Sequence, residues 1–484
     1  MENRFDVIVV GAGAVGCAVA RELSRYRLSA AVLEKESDVA GGASGRNSGV
    51  VHAGFNNKPG SLMAKLCVEG NLGFEKLCGE LDVPYKKTGK LVVAFDDNDA
   101  SILGKIISDG RKNGVPGLEL IGKEDIRKLE PNVGGVAAML SKNTAIISPF
   151  LYTVALAENA AANGVKFFFD TEVKGIGKSG DLFKIKAGKK YFYSKYIINS
   201  AGLYSDRIAS MAGETGYKIY PCRGQYYILD KRAGEFLKMP VYPVPRPGIG
   251  GLGVHLTPTV EGEIIVGPSA EYIKTKCDTG TTEAVMRQLF KEARELLPPL
   301  TMKHIIGNYA GIRSKIVGPK TGGYGDFIIK ESGKVPGLIN LIGIESPGLT
   351  ASMPIARMVA GLLDDKEKLT AKKDFIGTRK GIVRFRELPE DEKEKLITED
   401  SDYGEIICRC EKITRKEIIQ AIENPLGVKT LAAIKYRARS MMGRCQGGYC
   451  LTRIVEILNK EYGLQPEEIT LRGKDSKLFE GRVK

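Results

Sequence analysis

Tryptophan is missing from this 484-residue chain, histidine occurs three times and glutamine five times. With Lys and Glu abundant, the shortage of glutamine is the composition of a heat-adapted protein. Three histidines, His52, His255 and His304, are the whole supply of imidazole for proton transfer near neutral pH. No apolar run approaches the roughly 18 residues of a membrane span. No basic run reaches the five or six residues of a nucleic-acid-binding arm, so nucleic acid is not an expected partner. What is present is ordinary globular material, 43% hydrophobic and 27% charged, which excludes a largely disordered chain. The length allows two or three domains. Lys+Arg total 72 against 58 Asp+Glu, a formal charge of +14, and that balance favours anionic partners.

The first twenty residues have the outline of a secretion leader, but glycines at fixed spacing interrupt the apolar run, and it reads as a buried strand entering a glycine turn. Phe5 to Val10 (FDVIVV) is that strand, Gly11-Ala-Gly13-Ala14-Val-Gly16 the turn, Cys17 to Tyr26 a helix and Ala30 to Leu33 a second strand ending at Glu34. In such a unit the first glycine permits the bend, the second admits a pyrophosphate and the third lets helix pack on strand. The helix N-terminus faces the phosphates. Glu34, 18 residues past Gly16, stands where a carboxylate accepts from a ribose diol. Further strands are expected at Lys90–Phe95, Tyr196–Asn199, Gln225–Leu229, Glu263–Val266 and Leu338–Ile342, an α/β body with an added sheet. From Asp364 to Asp402 the chain turns charged, as in a linker or a surface-wrapping connection. Beyond it, Thr414 to Glu417 has capping-box spacing ahead of a helix, and Thr430–Met442 and Leu451–Leu458 read as two more.

Nine cysteines in an intracellular chain are expected to be mostly reduced. Cys17, Cys67, Cys78, Cys222 and Cys277 are scattered and read as packing residues. Cys408-x-Cys410 and, 34 residues on, Cys445-x4-Cys450 form a thiolate quartet, whose spacing suits a [2Fe–2S] cluster or a structural zinc alike.

The segment Gly41-Gly-Ala-Ser44-Gly-Arg46-Asn47-Ser48-Gly49-Val-Val-His52-Ala-Gly54 has few side chains to hold backbone away from a flat ligand. Here the chain resembles the D-amino-acid-oxidase-like superfamily of FAD enzymes. The likeness continues in order through Asn199–Gly202, Pro221–Gln225, Ala310–Arg313 and Ser346–Thr350. It implies FAD held by Gly11, Gly13, Ala14, Gly16, Glu34, Lys35, Ser44, Arg46, Asn47, Ser48, Val173, Ala201, Gly202, Gly348, Leu349 and Thr350. The last three would begin a helix facing the reduced flavin. RNSGVVHAG followed by Pro59–Leu62 looks most like L-2-hydroxyglutarate oxidases, and glycerol-3-phosphate dehydrogenases carry a similar segment. Met442 to Cys450 resembles the bacterioferritin-associated-ferredoxin-like domain, which implies [2Fe–2S] on Cys408, Cys410, Cys445 and Cys450. The implied fold is a Rossmann-like FAD-binding domain with an inserted α+β substrate domain and a small helical C-terminal [2Fe–2S] domain. The body would be residues 1–372, with FAD-binding parts about 1–80, 145–215 and 330–370 and substrate parts about 81–144 and 216–329. Residues 373–403 would link it to the cluster domain at 404–484.

For removal of an alcohol proton, His255, in Gly251-Leu-Gly253-Val-His255, is the first choice and His52 the second, while His304 has no motif around it. Arg313 of the AGIR motif suits a bidentate carboxylate or phosphate, and Lys315 adds a point charge. A flavin takes two electrons as hydride while a [2Fe–2S] cluster takes one at a time, so the flavin would act as converter. The expectation is a cytoplasmic dehydrogenase, at most peripheral to the inner face of the membrane, and oligomeric. It would oxidise sn-glycerol 3-phosphate to dihydroxyacetone phosphate and reduce a flavoprotein or ferredoxin partner. The domain order of anaerobic glycerol-3-phosphate dehydrogenase favours that substrate, while the local motifs lean to L-2-hydroxyglutarate. An amine, opine or hydroxyproline dehydrogenase subunit and a non-catalytic relay are the remaining readings. Lys435, Arg437, Arg439 and Arg444 read either as a dock for an acidic redox protein or as a solvated face.

Overall fold

The computed structural model describes residues 3–245 and 253–481, so Gly251 and Leu252 of the expected His255 motif lie outside the described residues. β1 (Arg4–Val10) carries β-branched residues buried on both faces, the pattern of a central parallel strand. It pairs in parallel with β2 (Ala30–Leu33) on one side and with the Lys190–Asn199 strand on the other. Lys166–Phe168 and Leu338–Ile342 extend the parallel core at its two ends. Between β1 and β2 runs α1 (Ala14–Leu23), which starts three residues before the expected Cys17 because Gly13 already has the extended backbone of an N-cap.

A nine-stranded mixed sheet stands beside this one, built from two separate stretches of chain. Lys90–Ala94 and Ala137–Ser141 come from the first, and Tyr220–Leu229, His255–Pro258, Ile264–Gly267 and Ile305–Lys315 from the second. Tyr220–Leu229 and Ile305–Lys315 run antiparallel with Cys222 opposite Arg313. This register carries the AGIR segment to the mouth between the two sheets.

Residues 373–403, expected as a linker, lie along the body and contain a helix at Glu390–Glu399. Buried Asn159 and Asn163 explain why the strand-poor stretch stays put. Their side-chain amides donate to Ile376 O and Thr378 O, and Asn163 Oδ1 accepts from Ile376 N. The C-terminal unit packs Ile418, Ile422, Leu431, Ile434, Ile454 and Leu458 into its own core, with Cys408 and Cys450 among them. Its Thr414–Glu417 capping box forms as the spacing predicts. The helix expected over Thr430–Met442 spans only Leu431–Ala438, because Arg439 adopts left-handed backbone (φ 61) and turns the chain. Among the described residues no helix is long and apolar enough to cross a membrane.

Candidate functional site

The glycine turn closes as its spacing demands. Gly11 has φ +102, which L side chains rarely adopt, and a Cβ on Gly16 would fall 2.0 Å from Gly11 O. Glu34, at the end of β2, is buried, and its carboxylate accepts from Ala12 N at 2.6 Å and Glu36 N at 2.9 Å. Burial raises its pKa, and these amides act against that rise. Ser44 Oγ accepts from Ala14 N at 2.8 Å, which ties the small-residue segment to the first turn of α1. A cavity of about 420 Å³ follows, lined by Gly11, Gly13, Ala14, Glu34, Lys35, Ser44, Arg46, Val173, Ala201 and Gly202. Gly16 packs beneath the turn instead of lining it.

A second cavity of about 410 Å³ shares Ala14, Ser44 and Arg46 with the first. Asn47, Ser48, His52, His255, Arg313, Lys315, Gly348 and Leu349 line it. The two together make one elongated cleft, shaped for a dinucleotide with its ring system at the sheet–sheet mouth. The residues present therefore fit FAD. Thr350 sits behind this wall, where its Oγ1 accepts from His52 N at 3.0 Å. The expected helix start at Gly348 is a turn instead, and the helix begins at Ser352.

Burial first, and Lys90 second, hold both histidines neutral: His52 is pushed down to about 3 and His255 well below the imidazole range. His255 stacks on Tyr242 with ring centroids 3.6 Å apart. Among the described residues its buried Nδ1 has no hydrogen-bond partner, and the residue lines the cavity. His52 Nε2 lies 3.4 Å from Ser346 Oγ. His304 is elsewhere, with Nδ1 accepting from Thr301 N and its ring edge-on to Phe236.

Both terminal nitrogens of Arg313 donate to Ser269 O at 3.2 Å, and among the described residues no carboxylate pairs with it. Lys315 is different. Its Nζ donates to both oxygens of Glu345, at 3.1 and 3.0 Å, and to Gly323 O at 2.7 Å. The point charge expected from Lys315 is thus already neutralised, and Arg313 and Arg46 are the cavity cations without an acidic partner.

Lys90 is the residue the sequence conceals. It is 0% exposed, its Nζ has no hydrogen-bond partner among the described residues, and that Nζ lies 3.8 Å from the Tyr242 ring and 4.7 Å from that of Phe55. Burial lowers its pKa to about 7. A lysine at the head of an apolar strand carries no local signal of burial. His255 is faced by Lys90, His52 and Arg313, all of which lower its pKa further when charged. Lys90→Met removes one of these charges, so the acid limb of the kcat/KM–pH profile is expected to move to higher pH. An unchanged limb would separate Lys90 from the histidines.

The cysteines meet as two pairs, Cys408 with Cys450 and Cys410 with Cys445. The pairs also act on each other electrostatically, so the four sulfurs form one quartet of the kind that holds a [2Fe–2S] cluster. Cys408 is pulled down to about 6, first by the hydrogen bond from Cys450, then by the Glu411 and Met441 amides against the effect of burial. Amides of Gly447 and Tyr449 serve Cys445. Arg439, Met441 and Gln446 all have positive φ, the backbone condition for aiming so many N–H groups at sulfur.

Two of the four basic residues read as a dock or solvated face are neither. Arg437 is 1% exposed and bonds Asp38 at 2.6 Å and Glu158 at 3.2 Å. Arg439 pairs with Glu261, Glu263 and Glu411. Lys435 is half-buried, and only Arg444 stays exposed. These arginines clamp the C-terminal unit to both sheets of the body.

Residues 6–362 match the family described as FAD dependent oxidoreductase, and residues 406–460 the BFD-like [2Fe-2S] binding domain. A glycerol 3-phosphate dehydrogenase of Caloramator mitchellensis is 42% identical over 483 residues, covering 99% of each chain. A mitochondrial L-2-hydroxyglutarate dehydrogenase of Caenorhabditis elegans is 32% identical, over 76% of this chain and 94% of its own. Among solved structures, the FAD-bound L-alpha-glycerophosphate oxidase of Mycoplasma pneumoniae superposes with a TM-score of 0.73 at 31% identity. That match covers 78% of this chain and 98% of the oxidase.

Proposed function

Because the chain belongs to the FAD dependent oxidoreductase family and carries a BFD-like [2Fe-2S] binding domain, we propose that it oxidises sn-glycerol 3-phosphate to dihydroxyacetone phosphate and delivers the electrons to a partner redox protein. It is a glycerol-3-phosphate-dehydrogenase-like FAD enzyme. The observation that carries the finer reading is the pairing, in one cavity, of neutral His255 with an Arg313 that has no acidic partner. Arg313 would take the anionic group in a two-pronged grip, with its guanidinium already oriented by Ser269 O. His255 Nε2 would accept the hydroxyl proton, which a protonated imidazole could not do. His52, against Ser346, would position the same hydroxyl. FAD and the [2Fe–2S] cluster supply acceptance of the hydride's electron pair and its onward release in single electrons. Of the cluster cysteines Cys445 is the exposed one. Arg409 and Arg453 flank the nearby Tyr449 ring at 4.3 and 4.9 Å, and their charge suits an acidic acceptor protein.

L-2-hydroxyglutarate is the second reading, supported by the 32% identity to the Caenorhabditis elegans dehydrogenase named for it; the Lys315–Glu345 pair weakens the anion site for both dianionic substrates alike. Anaerobic titration of the holoprotein tests both. Glycerol 3-phosphate is expected to bleach the flavin band, while L-2-hydroxyglutarate leaves it. Bleaching by L-2-hydroxyglutarate alone would replace the substrate. Bleaching by neither would remove the alcohol-dehydrogenase reading.

A further inference from the structure

The dinucleotide cavity is not closed by the body alone. Thr430, Ala432, Ala433, Tyr436 and Arg472, all from the C-terminal unit, line it together with the glycine turn and Arg46. Arg472 Nη2 donates to Tyr436 OH at 3.0 Å, and the Tyr436 ring stacks on Phe150 of the body, 4.9 Å between centroids. Arg46 reaches only Ala310 O, at 3.3 Å. Among the described residues neither arginine has a carboxylate within ion-pair distance. Gly13 gives α1 no side-chain cap either. One cavity therefore gathers Arg46, Arg472 and a helix N-terminus, with Glu36 and Asp38 on its wall but outside ion-pair distance of either arginine among the described residues; burial first, and Arg472 second, lower the pKa of Arg46. Such an array is built for a ligand with at least two negative charges.

We propose that the [2Fe–2S] unit is a structural part of the flavin site: Arg472, held by Tyr436, binds the diphosphate of FAD jointly with Arg46 and the start of α1. The proposal rests on FAD occupying this cleft, and it goes beyond it by making flavin retention depend on a residue outside the oxidoreductase fold. The helix bearing Tyr436 also carries Arg437, whose bonds to Asp38 and Glu158 seat it on the body. Flavin retention and the docking of the electron exit are thereby one event.

The test uses full-length holoprotein and does not read activity. FAD release is followed by the rise in flavin fluorescence on dilution, with iron content measured in parallel. Arg472→Ala is expected to release FAD roughly three- to tenfold faster, from the loss of a charge-assisted hydrogen bond at a partly open site. Arg472→Lys should fall between, Tyr436→Phe should shift in the same direction, and high salt should shrink the difference. Lys460→Ala removes an equal charge from an exposed helix face and should behave as wild type. Equal release from Arg472→Ala and Lys460→Ala would overturn the proposal. So would parallel loss of iron and flavin in both Arg472 variants, which would mark a folding role. A wild type that holds no FAD at all would instead count against the cleft.

Discussion

Replacing His255 with asparagine is expected to lower kcat by roughly 10²–10⁴-fold, the usual worth of a positioned general base, with FAD content unchanged. The expectation follows from where the imidazole is held. His255 is 5% exposed, stacked on Tyr242 and flanked by Lys90, His52 and Arg313. Burial and these charges all disfavour the imidazolium, so the base is unprotonated throughout the neutral range and the rate should show no acid limb near the ordinary histidine pKa. Asparagine keeps a polar group of similar reach but cannot take a proton. His52→Asn should cost less, because its Nε2 is already directed to Ser346. Rapid-mixing measurement of flavin bleaching by substrate separates these outcomes. If His255→Asn reduces within tenfold of wild type while His52→Asn does not, the roles exchange.

The second large effect is expected at Arg437. Arg437→Met leaves the partly buried Asp38 opposite a thioether at the wall of the dinucleotide cavity, and breaking an ion pair from one side costs up to about 3–5 kcal/mol where the remaining charge is fully buried, less where it meets solvent. Glu158 is less affected, since Arg379 still holds it at 2.6 Å. The strain falls on the joint between the cluster unit and the FAD half. The variant should show a lower melting temperature and faster proteolysis near residues 373–403. FAD should be released faster, as in the Arg472 variants, while flavin that stays bound is still bleached by substrate and passes electrons to the cluster more slowly. Melting and proteolysis identical to wild type would show that the Arg439 contacts to Glu261 and Glu263 suffice for docking.

Those two arginines show where reading the chain alone stops. Lys435, Arg437, Arg439 and Arg444 crowd near the cysteines in sequence and look like one surface. A charge's destination depends on what the fold sets against it, and Asp38, Glu158, Glu261 and Glu263 are all more than 170 residues away. Lys315 is misread and Lys90 goes unnoticed for the same reason. Glu345 on another segment neutralises the first, while Tyr242 and Phe55, from two further segments, wall in the second.

The features the sequence determined are those whose physics is local. The GAGAVG turn needs its glycines for φ and close packing within six residues, and FDVIVV is β-branched wherever it is placed. Thr414 and Glu417 cap their helix across one turn, and each cysteine loop is a short-range backbone problem. Tertiary structure alone decided which cations remain free to meet an anion, which histidine is walled from water, and that residues of the C-terminal unit line the dinucleotide cavity. Each of these depends on pairing and burial between distant segments, and neither periodicity nor spacing carries that information.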